Sequence, residues 1–141
     1  MKKLITLLIL ILFISCSKDD NEKTANFSIV GNWDATKMIT KSSFNPEGTD
    51  WKSVTTSIKA KFTSGGDYEL TMNMIGGGIE FSEGTFTVNG DNTQLTVIIE
   101  NEDGDNGEPV TYNITELSSE KLKYNFSVSG NSDTREYSRS N

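Results

Sequence analysis

From Phe27 onward the sequence alternates apolar and polar residues with a period of two, and this pattern constrains the fold more than any other feature. The clearest case is Val54–Phe62, in which every second residue is mostly apolar and the residues between are polar. Side chains of a β-strand point alternately to the two faces of a sheet, so this segment is predicted to be a strand with one solvent-exposed face. The same alternation recurs in four other segments: Tyr68–Met74, Leu95–Ile99, Val110–Ile114 and Leu122–Val128.

Three less regular segments complete the predicted set of strands: Trp33–Thr40, Ile79–Val88 and Thr134–Ser140. In the second of these, the apolar residues change from odd to even positions across Glu83-Gly84, which predicts a bulge or a sharp bend. Clusters of Gly, Asn, Asp and Ser separate the strands, and these residues accept the positive φ angles of tight hairpin turns. No segment shows a convincing helical period, so the chain is predicted to be an antiparallel meander of about eight strands.

Such a meander has two unpaired edge strands and one apolar face. It can protect them from water either by closing into a barrel or by folding into a sandwich. Closure is favoured because the connections after the first loop, Ser42–Asp50, are short enough for successive hairpins. The predicted fold class is therefore all-β, an eight-stranded antiparallel up-and-down barrel. Its interior side chains would either bind a small ligand or fill the core. The candidate ligand-lining residues are Met72, Met74, Phe81, Phe86, Tyr112, Tyr124 and Phe126.

Charge and composition exclude several functional classes. The 141 residues include 20 Asp+Glu, 13 Lys+Arg and no His. An acidic surface repels phosphate backbones, so nucleic-acid binding is not expected. Without histidine the chain lacks the commonest general base and metal ligand, and its single cysteine cannot form an internal disulfide. We expect a monomer that is not an enzyme and holds no metal or cofactor, although the sequence leaves catalysis by paired carboxylates open.

The first residues, 1–15, are predicted to be a signal peptide. Positive charge in Met1–Lys3 precedes the segment Leu4–Ile14, which is apolar except at one threonine. A helix of this length spans about 16 Å, which is too short to cross a hydrocarbon core of about 30 Å. The stretch Phe13-Ile14-Ser15-Cys16 resembles a bacterial lipobox, in which the cysteine sulfur receives a diacylglyceryl group. The alternative is an ordinary secretory leader that happens to end near a cysteine.

Residues 16–26 are predicted to be the lipidated cysteine and a flexible tether, because the segment is polar and lacks periodicity. The lipid on Cys16 would make the membrane a partner of the chain. Within the tether, Lys18, Asp19 and Asp20 resemble the surface-export signal of some Gram-negative lipoproteins. That resemblance implies a lipid-anchored protein that faces outward from the bacterial outer membrane; the alternative is that the tether is merely polar.

The predicted barrel domain, residues 27–141, carries motifs of a known family. Its opening, Ser28-Ile29-Val30-Gly31-Asn32-Trp33, is similar to the Gly-x-Trp opening of lipocalins, in which the tryptophan plugs the closed end of the barrel. Together with the segments 61–68, 83–88, 114–122 and 137–139, it resembles the short lipocalin-like lipoproteins of bacteria over residues 27–140.

The resemblance implies a closed end built from Gly31, Trp33 and Arg139, with the arginine lying over the indole ring in a cation–π contact. Arg135 is the second candidate for that arginine. The resemblance also implies binding of a small apolar or amphipathic molecule at the cell envelope. The alternative is a filled barrel that acts as a non-enzymatic scaffold and contacts another envelope protein or a glycan.

Lipidation depends on one sulfur atom. Replacing Cys16 with Ala removes the acceptor of the diacylglyceryl group, so we expect a soluble or uncleaved chain instead of an anchored one. Partitioning of the full-length chain between detergent and water measures the difference. Ser15→Ala is the matched control because it keeps a small residue before the cysteine. Unchanged detergent partitioning of the Cys16→Ala chain would refute lipidation.

Overall fold

The computed structural model describes residues 27–141, so the leader, the tether, Cys16 and the Lys18-Asp19-Asp20 segment lie outside the described residues. A single 3₁₀ turn, Trp51–Ser53, is the only helical element in residues 27–141, and no helix there is long and apolar enough to cross a membrane. The strands of this region are β1 (Gly31–Ser42), β2 (Asn45–Asp50), β3 (Thr55–Phe62), β4 (Asp67–Met74), β5 (Ile79–Val88), β6 (Gln94–Ile99), β7 (Val110–Leu117), β8 (Lys121–Val128) and β9 (Asn131–Arg139).

Eight of these strands close into a barrel. Each strand from β3 to β8 pairs with the next along the chain, β1 pairs with β3, and β9 returns to pair antiparallel with β1. The remaining strand, β2, lies in the predicted first loop and forms a hairpin with the end of β1. The predicted eight-stranded up-and-down barrel is therefore confirmed.

The two ends of the barrel differ in burial. Trp33 near the start of β1 and Leu122 near the start of β8 are completely buried, so this end is closed. Toward the other end, the inner face of β4 changes from buried Tyr68 to half-buried Met74, and Val128 at the end of β8 is 63% exposed. We call this second end the open end. Because β1 begins at the closed end, the N-terminal part of the chain joins the barrel there.

Inner-facing side chains from all eight strands form one core. Several of its aromatic rings meet edge to face: the centroids of Phe62 and Phe86 are 4.9 Å apart and those of Tyr112 and Tyr124 also 4.9 Å. Burying each large apolar side chain contributes roughly 1.5–3 kcal/mol to stability. The largest fully buried side chains are Trp33, Tyr68, Tyr124, Tyr137, Phe62, Ile58, Leu95 and Leu122.

Strand β5 lacks the bulge expected at Glu83-Gly84. Its pairing with β4 keeps one register along the shared length, from Ile79 at the open end to Thr85. Apolar residues at odd positions of β5 therefore lie on the outer face, and Phe81 is 54% exposed. The predicted change of face is wrong, because Glu80, Ser82 and Gly84, none of them a large apolar residue, occupy the inner-face positions in this half of the strand.

Gly84 lies where β6 passes close to β5. A Cβ atom at Gly84 would overlap the backbone carbonyl oxygen of Ile98 and lie 2.9 Å from the Cα atom of Ile99. Because both contacts are with backbone, the neighbouring strand must move to make room. We expect Gly84→Ala to lower the free energy of unfolding by about 3 kcal/mol, at the upper end of the usual cost of overpacking. Denaturant unfolding of the full chain measures this loss.

Gly90 provides the matched control in the β5–β6 turn. A Cβ atom there meets nothing within 4 Å, and Gly90 does not have a positive φ. Gly90→Ala should therefore change the free energy of unfolding by less than about 1 kcal/mol. Equal losses at Gly84 and Gly90 would contradict the close approach of β5 and β6.

Candidate functional site

The inner face of β9 carries a charged pair into the barrel. Asp133 is only 3% exposed, and the side chain of Arg135 is 14% exposed. Arg135 Nε donates to Asp133 Oδ2 at 2.8 Å, and Nη2 forms an ion pair with the same oxygen, also at 2.8 Å. Such close geometry is needed because removing two charges from water costs several kcal/mol for each ion.

Two tyrosines complete the contacts of this pair. Arg135 Nη1 donates to the Tyr68 hydroxyl at 3.0 Å, and the Tyr112 hydroxyl donates to Asp133 Oδ2 at 3.3 Å. The guanidinium carbon of Arg135 also lies 5.6 Å from the centroid of the Tyr112 ring, within the range of a cation–π contact. The hydrogen bond to Tyr68 and the contact with the Tyr112 ring thus fix the position and orientation of the guanidinium group.

Two further tyrosines, Tyr124 and Tyr137, stack beside the pair. Their ring centroids are 5.7 Å apart, and the Tyr124 hydroxyl donates to the Tyr137 hydroxyl at 3.3 Å. Burial raises the pKa of Tyr112 to about 12, although the positive charge of Arg135 opposes this shift. Burial likewise raises the pKa of Tyr124 well above its usual range. The hydroxyls of Tyr112 and Tyr124 are therefore neutral at physiological pH, and they lie beside one buried ion pair.

Both members of the charged pair keep unused hydrogen-bonding capacity. Their contacts within residues 27–141 leave at least one N–H group on Nη1 and at least one on Nη2 of Arg135 without a protein acceptor. Asp133 Oδ1 is buried and receives no hydrogen bond from the described residues. Buried polar groups are nearly always paired, so this arrangement can accept a polar group of a small molecule.

Arg135 faces a cavity of about 100 Å³ inside the barrel. Pockets for drug-sized ligands have volumes of roughly 300–1,000 Å³, and a water molecule occupies about 30 Å³. The cavity can therefore hold a few waters or one small polar group, but not the whole of a large ligand. Its lining is mostly aromatic and aliphatic: Tyr68, Leu70, Ser82, Val97, Ile99, Val110, Tyr112, Tyr124 and Arg135.

Half-buried apolar side chains lie between this cavity and the solvent at the open end. Met72, Phe126 and Trp51 are partly buried and pack against the core. Trp51 Nε1 donates to Thr40 Oγ1 at 3.2 Å, which fixes the ring on the end of β1. The open end therefore presents an apolar surface above a polar site.

The structure distributes the predicted ligand-lining residues over several places. Tyr112 and Tyr124 line the cavity, whereas Phe86 packs against Phe62. The three others on the inner face are half-buried: Met72, Met74 and Phe126.

The structure corrects the prediction for Phe81. This residue pairs with Thr71 of β4, whose side chain also points outward, and the prediction that Phe81 lines the interior is wrong. The inner position next to it belongs to Ser82, which lines the cavity.

The closed end is a structural plug. Trp33 Nε1 donates to the Ile29 carbonyl oxygen at 2.8 Å, and the guanidinium carbon of Arg139 lies 4.0 Å from the indole centroid. Arg139 Nη1 also donates to the Val30 carbonyl oxygen at 2.8 Å. Gly31 has a φ of +143°, and a Cβ atom there would overlap Arg139 Nη1. Only glycine gives the arginine room to lie over the tryptophan.

Sequence reasoning missed Tyr68 and Asp133 and assigned Arg135 only as a second candidate for the plug. A signal is present, since Asp133, Arg135 and Tyr137 alternate along the last strand. The residues between them are polar as well, so the pattern does not reveal which face is inside. Within residues 27–141, no group of three or more acidic or cysteine side chains is placed to hold a metal ion.

A closed eight-stranded barrel with one plugged end and an internal polar site belongs to the class of small β-barrels built for binding. The sequence profile of the Lipocalin-like domain matches residues 29–124, and the chain therefore belongs to the lipocalin-like domain family.

Solved structures agree on the fold. The chain is similar to a lipocalin-like protein from Bacteroides uniformis ATCC 8492, with 16% identity and a TM-score of 0.52, over 77% of this chain and 96% of that one. It is also similar to an uncharacterized protein from Bacteroides eggerthii DSM 20697, with 14% identity and a TM-score of 0.50, over 80% of this chain and 100% of that one. No curated protein matches the chain.

The charged pair can be tested by removing one partner or both. Asp133→Ala leaves the charge of Arg135 buried without a counter-ion, so we expect the free energy of unfolding to fall by about 3–5 kcal/mol. The double variant Asp133→Leu/Arg135→Met replaces both charges with apolar side chains and should regain most of that loss. Denaturant unfolding compares the three proteins. A double variant as unstable as Asp133→Ala would contradict a buried, mutually compensating pair.

Proposed function

We propose that the protein is a lipoprotein, anchored to the bacterial outer membrane, whose barrel binds a small amphipathic molecule. The observation that carries this proposal is the cavity lined by Arg135 and three tyrosines, in which the guanidinium keeps N–H groups that no protein acceptor uses. A core of this size needs no buried ion pair, because apolar residues of similar volume stabilise a protein equally well or better. The pair is therefore better explained by binding than by stability. The family supports a binding role, and we propose no catalytic one.

The dimensions of the site favour an amphipathic ligand over a wholly apolar one. A cavity of about 100 Å³ accommodates a head group such as a carboxylate, which accepts hydrogen bonds from the guanidinium of Arg135. An attached apolar tail would leave the cavity past Met72 and Phe126 at the open end. Methionine and aromatic side chains adapt to irregular shapes, which suits the path of such a tail.

The proposed anchor is consistent with access to the open end. Residues 17–26 span at most about 36 Å when fully extended, and the chain joins the barrel at the closed end. A lipid on Cys16 would therefore attach the barrel to the membrane through its closed end and leave the open end accessible. We propose that Lys18, Asp19 and Asp20 direct this lipoprotein to the outward face of the outer membrane.

A second candidate function is the non-enzymatic scaffold. The observation that favours it is the small cavity, because a barrel with so little internal space is nearly filled by its own side chains. In that case the outer face of the barrel, rather than its interior, would contact another envelope protein or a glycan.

Two measurements decide between these functions. Native mass spectrometry of the full chain, purified in detergent from its own envelope, should show a retained small molecule. Calorimetric titration should then show that decanoate binds more tightly than methyl decanoate or decanol, which share its chain length but not its charge. We expect the Asp133→Leu/Arg135→Met variant to weaken decanoate binding by about tenfold or more, as loss of a charge-assisted hydrogen bond would.

Lys59→Met is the matched control, because it removes one positive charge from the outer face of β3. It should leave decanoate binding unchanged. If no molecule is retained and none of the three probes binds, the ligand hypothesis fails and the scaffold is favoured. If decanoate binds equally to all variants, the site is not at Arg135.

A further inference from the structure

Strand β5 extends beyond its neighbour and leaves part of the barrel wall unpaired. It begins at Ile79, but β6 pairs only with residues from Gly84 to Val88, with one further hydrogen bond from the Glu100 N–H to the Glu83 carbonyl oxygen. Within residues 27–141, no strand pairs with the β6-side edge of residues 79–82. A short open edge therefore interrupts the wall at the open end.

The free backbone groups of this edge follow from the alternation of the strand. The Phe86 N–H donates to Gly66 on the β4 side, whereas the Glu83 carbonyl oxygen accepts from the β6 side. Even positions thus face β4 and odd positions face β6. The N–H and C=O groups of Ile79 and Phe81 consequently point out of the open edge, and no backbone or side-chain hydrogen bond from residues 27–141 reaches them.

The edge also carries apolar side chains and borders a groove. Ile79 and Phe81 are 68% and 54% exposed on the outer face. Beside them lies a groove of about 310 Å³, bounded by β5 on one side and by the β6–β7 loop on the other. Its lining residues are Phe81, Ser82, Glu83, Ile99, Glu100, Asn101, Glu102 and Gly104. An exposed apolar strand edge is a template for pairing with another chain.

Charge indicates what kind of chain would fit. No Lys or Arg occurs between Lys61 and Lys121, whereas this stretch contains 12 Asp and Glu residues. Every lysine and arginine of residues 27–141 lies in the first and last parts of the chain, so the part from β4 to β7 carries negative side chains and no positive ones. Glu80, Glu83, Glu100 and Glu102 surround the open edge and the groove.

We propose that the open edge of β5 is a docking site for an extended segment of a partner protein in which apolar and basic residues alternate. The segment adds a strand beside β5 and completes its hydrogen bonds, a common mode of peptide recognition. Its outward side chains meet Ile79 and Phe81 and are therefore apolar. Its other side chains meet Glu80 and are therefore basic. The docking site is separate from Arg135 and does not depend on a ligand in the cavity.

A second copy of the chain is a poorer occupant of the same edge. Two copies paired antiparallel through this segment would set Glu80 of one against Glu80 of the other when centred on that residue. Like charges directly opposite each other destabilise a pair of strands. The acidic walls around the edge would repel each other as well, so a basic partner is favoured over self-association.

Residue-resolved hydrogen exchange of the full chain in detergent tests this proposal. In the free protein, the amides of Ile79 and Phe81 should exchange rapidly, while those of Glu80 and Ser82, which face β4, exchange more slowly. A synthetic peptide of alternating Lys and Val should slow exchange at Ile79 and Phe81 by at least about tenfold at saturation. A peptide of alternating Glu and Val is the control and should have no effect.

Variants separate backbone pairing from charge. Phe81→Pro removes an N–H group that β4 does not use, at an edge position where proline is tolerated, and should abolish peptide binding. Phe81→Thr keeps the N–H group and should still bind, although more weakly. Glu80→Gln/Glu83→Gln, which does not alter the backbone, should weaken binding several-fold and reduce its dependence on salt.

Several results would overturn the proposal. The first is protection of Ile79 and Phe81 in the free chain; if this rises with protein concentration, it identifies a second copy as the occupant. The others are no protection by the Lys-Val peptide, equal protection by the Glu-Val peptide, and full binding by a folded Phe81→Pro chain. The Asp133→Leu/Arg135→Met variant should bind the peptide like the unmodified protein, so loss of ligand binding in the cavity and loss of peptide docking are distinguishable.

Discussion

The antiparallel pairing of β1 with β9 is the contact on which the rest of the structure depends. Without it, both strands would be open edges and the apolar face of the sheet would remain in water. The same pairing sets Arg139 opposite Trp33 at the closed end and Asp133 opposite Thr40 near the open end. This one pairing, which shifts register once between Ala35 and Lys37, thus positions both the plug and the internal polar site. A shift of one residue would turn every side chain of β9 to the other face.

The plug and the internal pair use arginine in different ways. Arg139 lies over an indole ring and donates to backbone carbonyl oxygens, so it closes the barrel and uses its donors within the protein. Arg135 is held by a carboxylate and a tyrosine hydroxyl, keeps unused donors, and lines a cavity. The first arrangement accounts for stability alone. The second is consistent with binding, because its remaining donors gain an acceptor only when a polar group enters.

The alternation of the sequence was sufficient to predict the barrel, because period-two patterns and turn residues depend on local chemistry. It was insufficient wherever both faces of a strand have similar polarity. In β9 neither face is apolar, so the inward direction of Asp133 and Arg135 is decided by pairing with β1. In β3 a register shift buries Thr55 in place of its neighbours, which no side-chain pattern indicates. Phe81 was predicted to face inward for a different reason: an exposed apolar residue has the same character in a sequence as a core residue.

The interior cavity and the open edge of β5 share part of the barrel wall. Ser82 and Ile99 line both the cavity that Arg135 faces and the groove beside Phe81. Because β6 is shorter than β5, no strand pairs with this part of β5. A strand docked in the groove would therefore lie beside the cavity. If docking changes the affinity of the cavity for a head group, then the head group must change the affinity of the edge for the strand by the same factor.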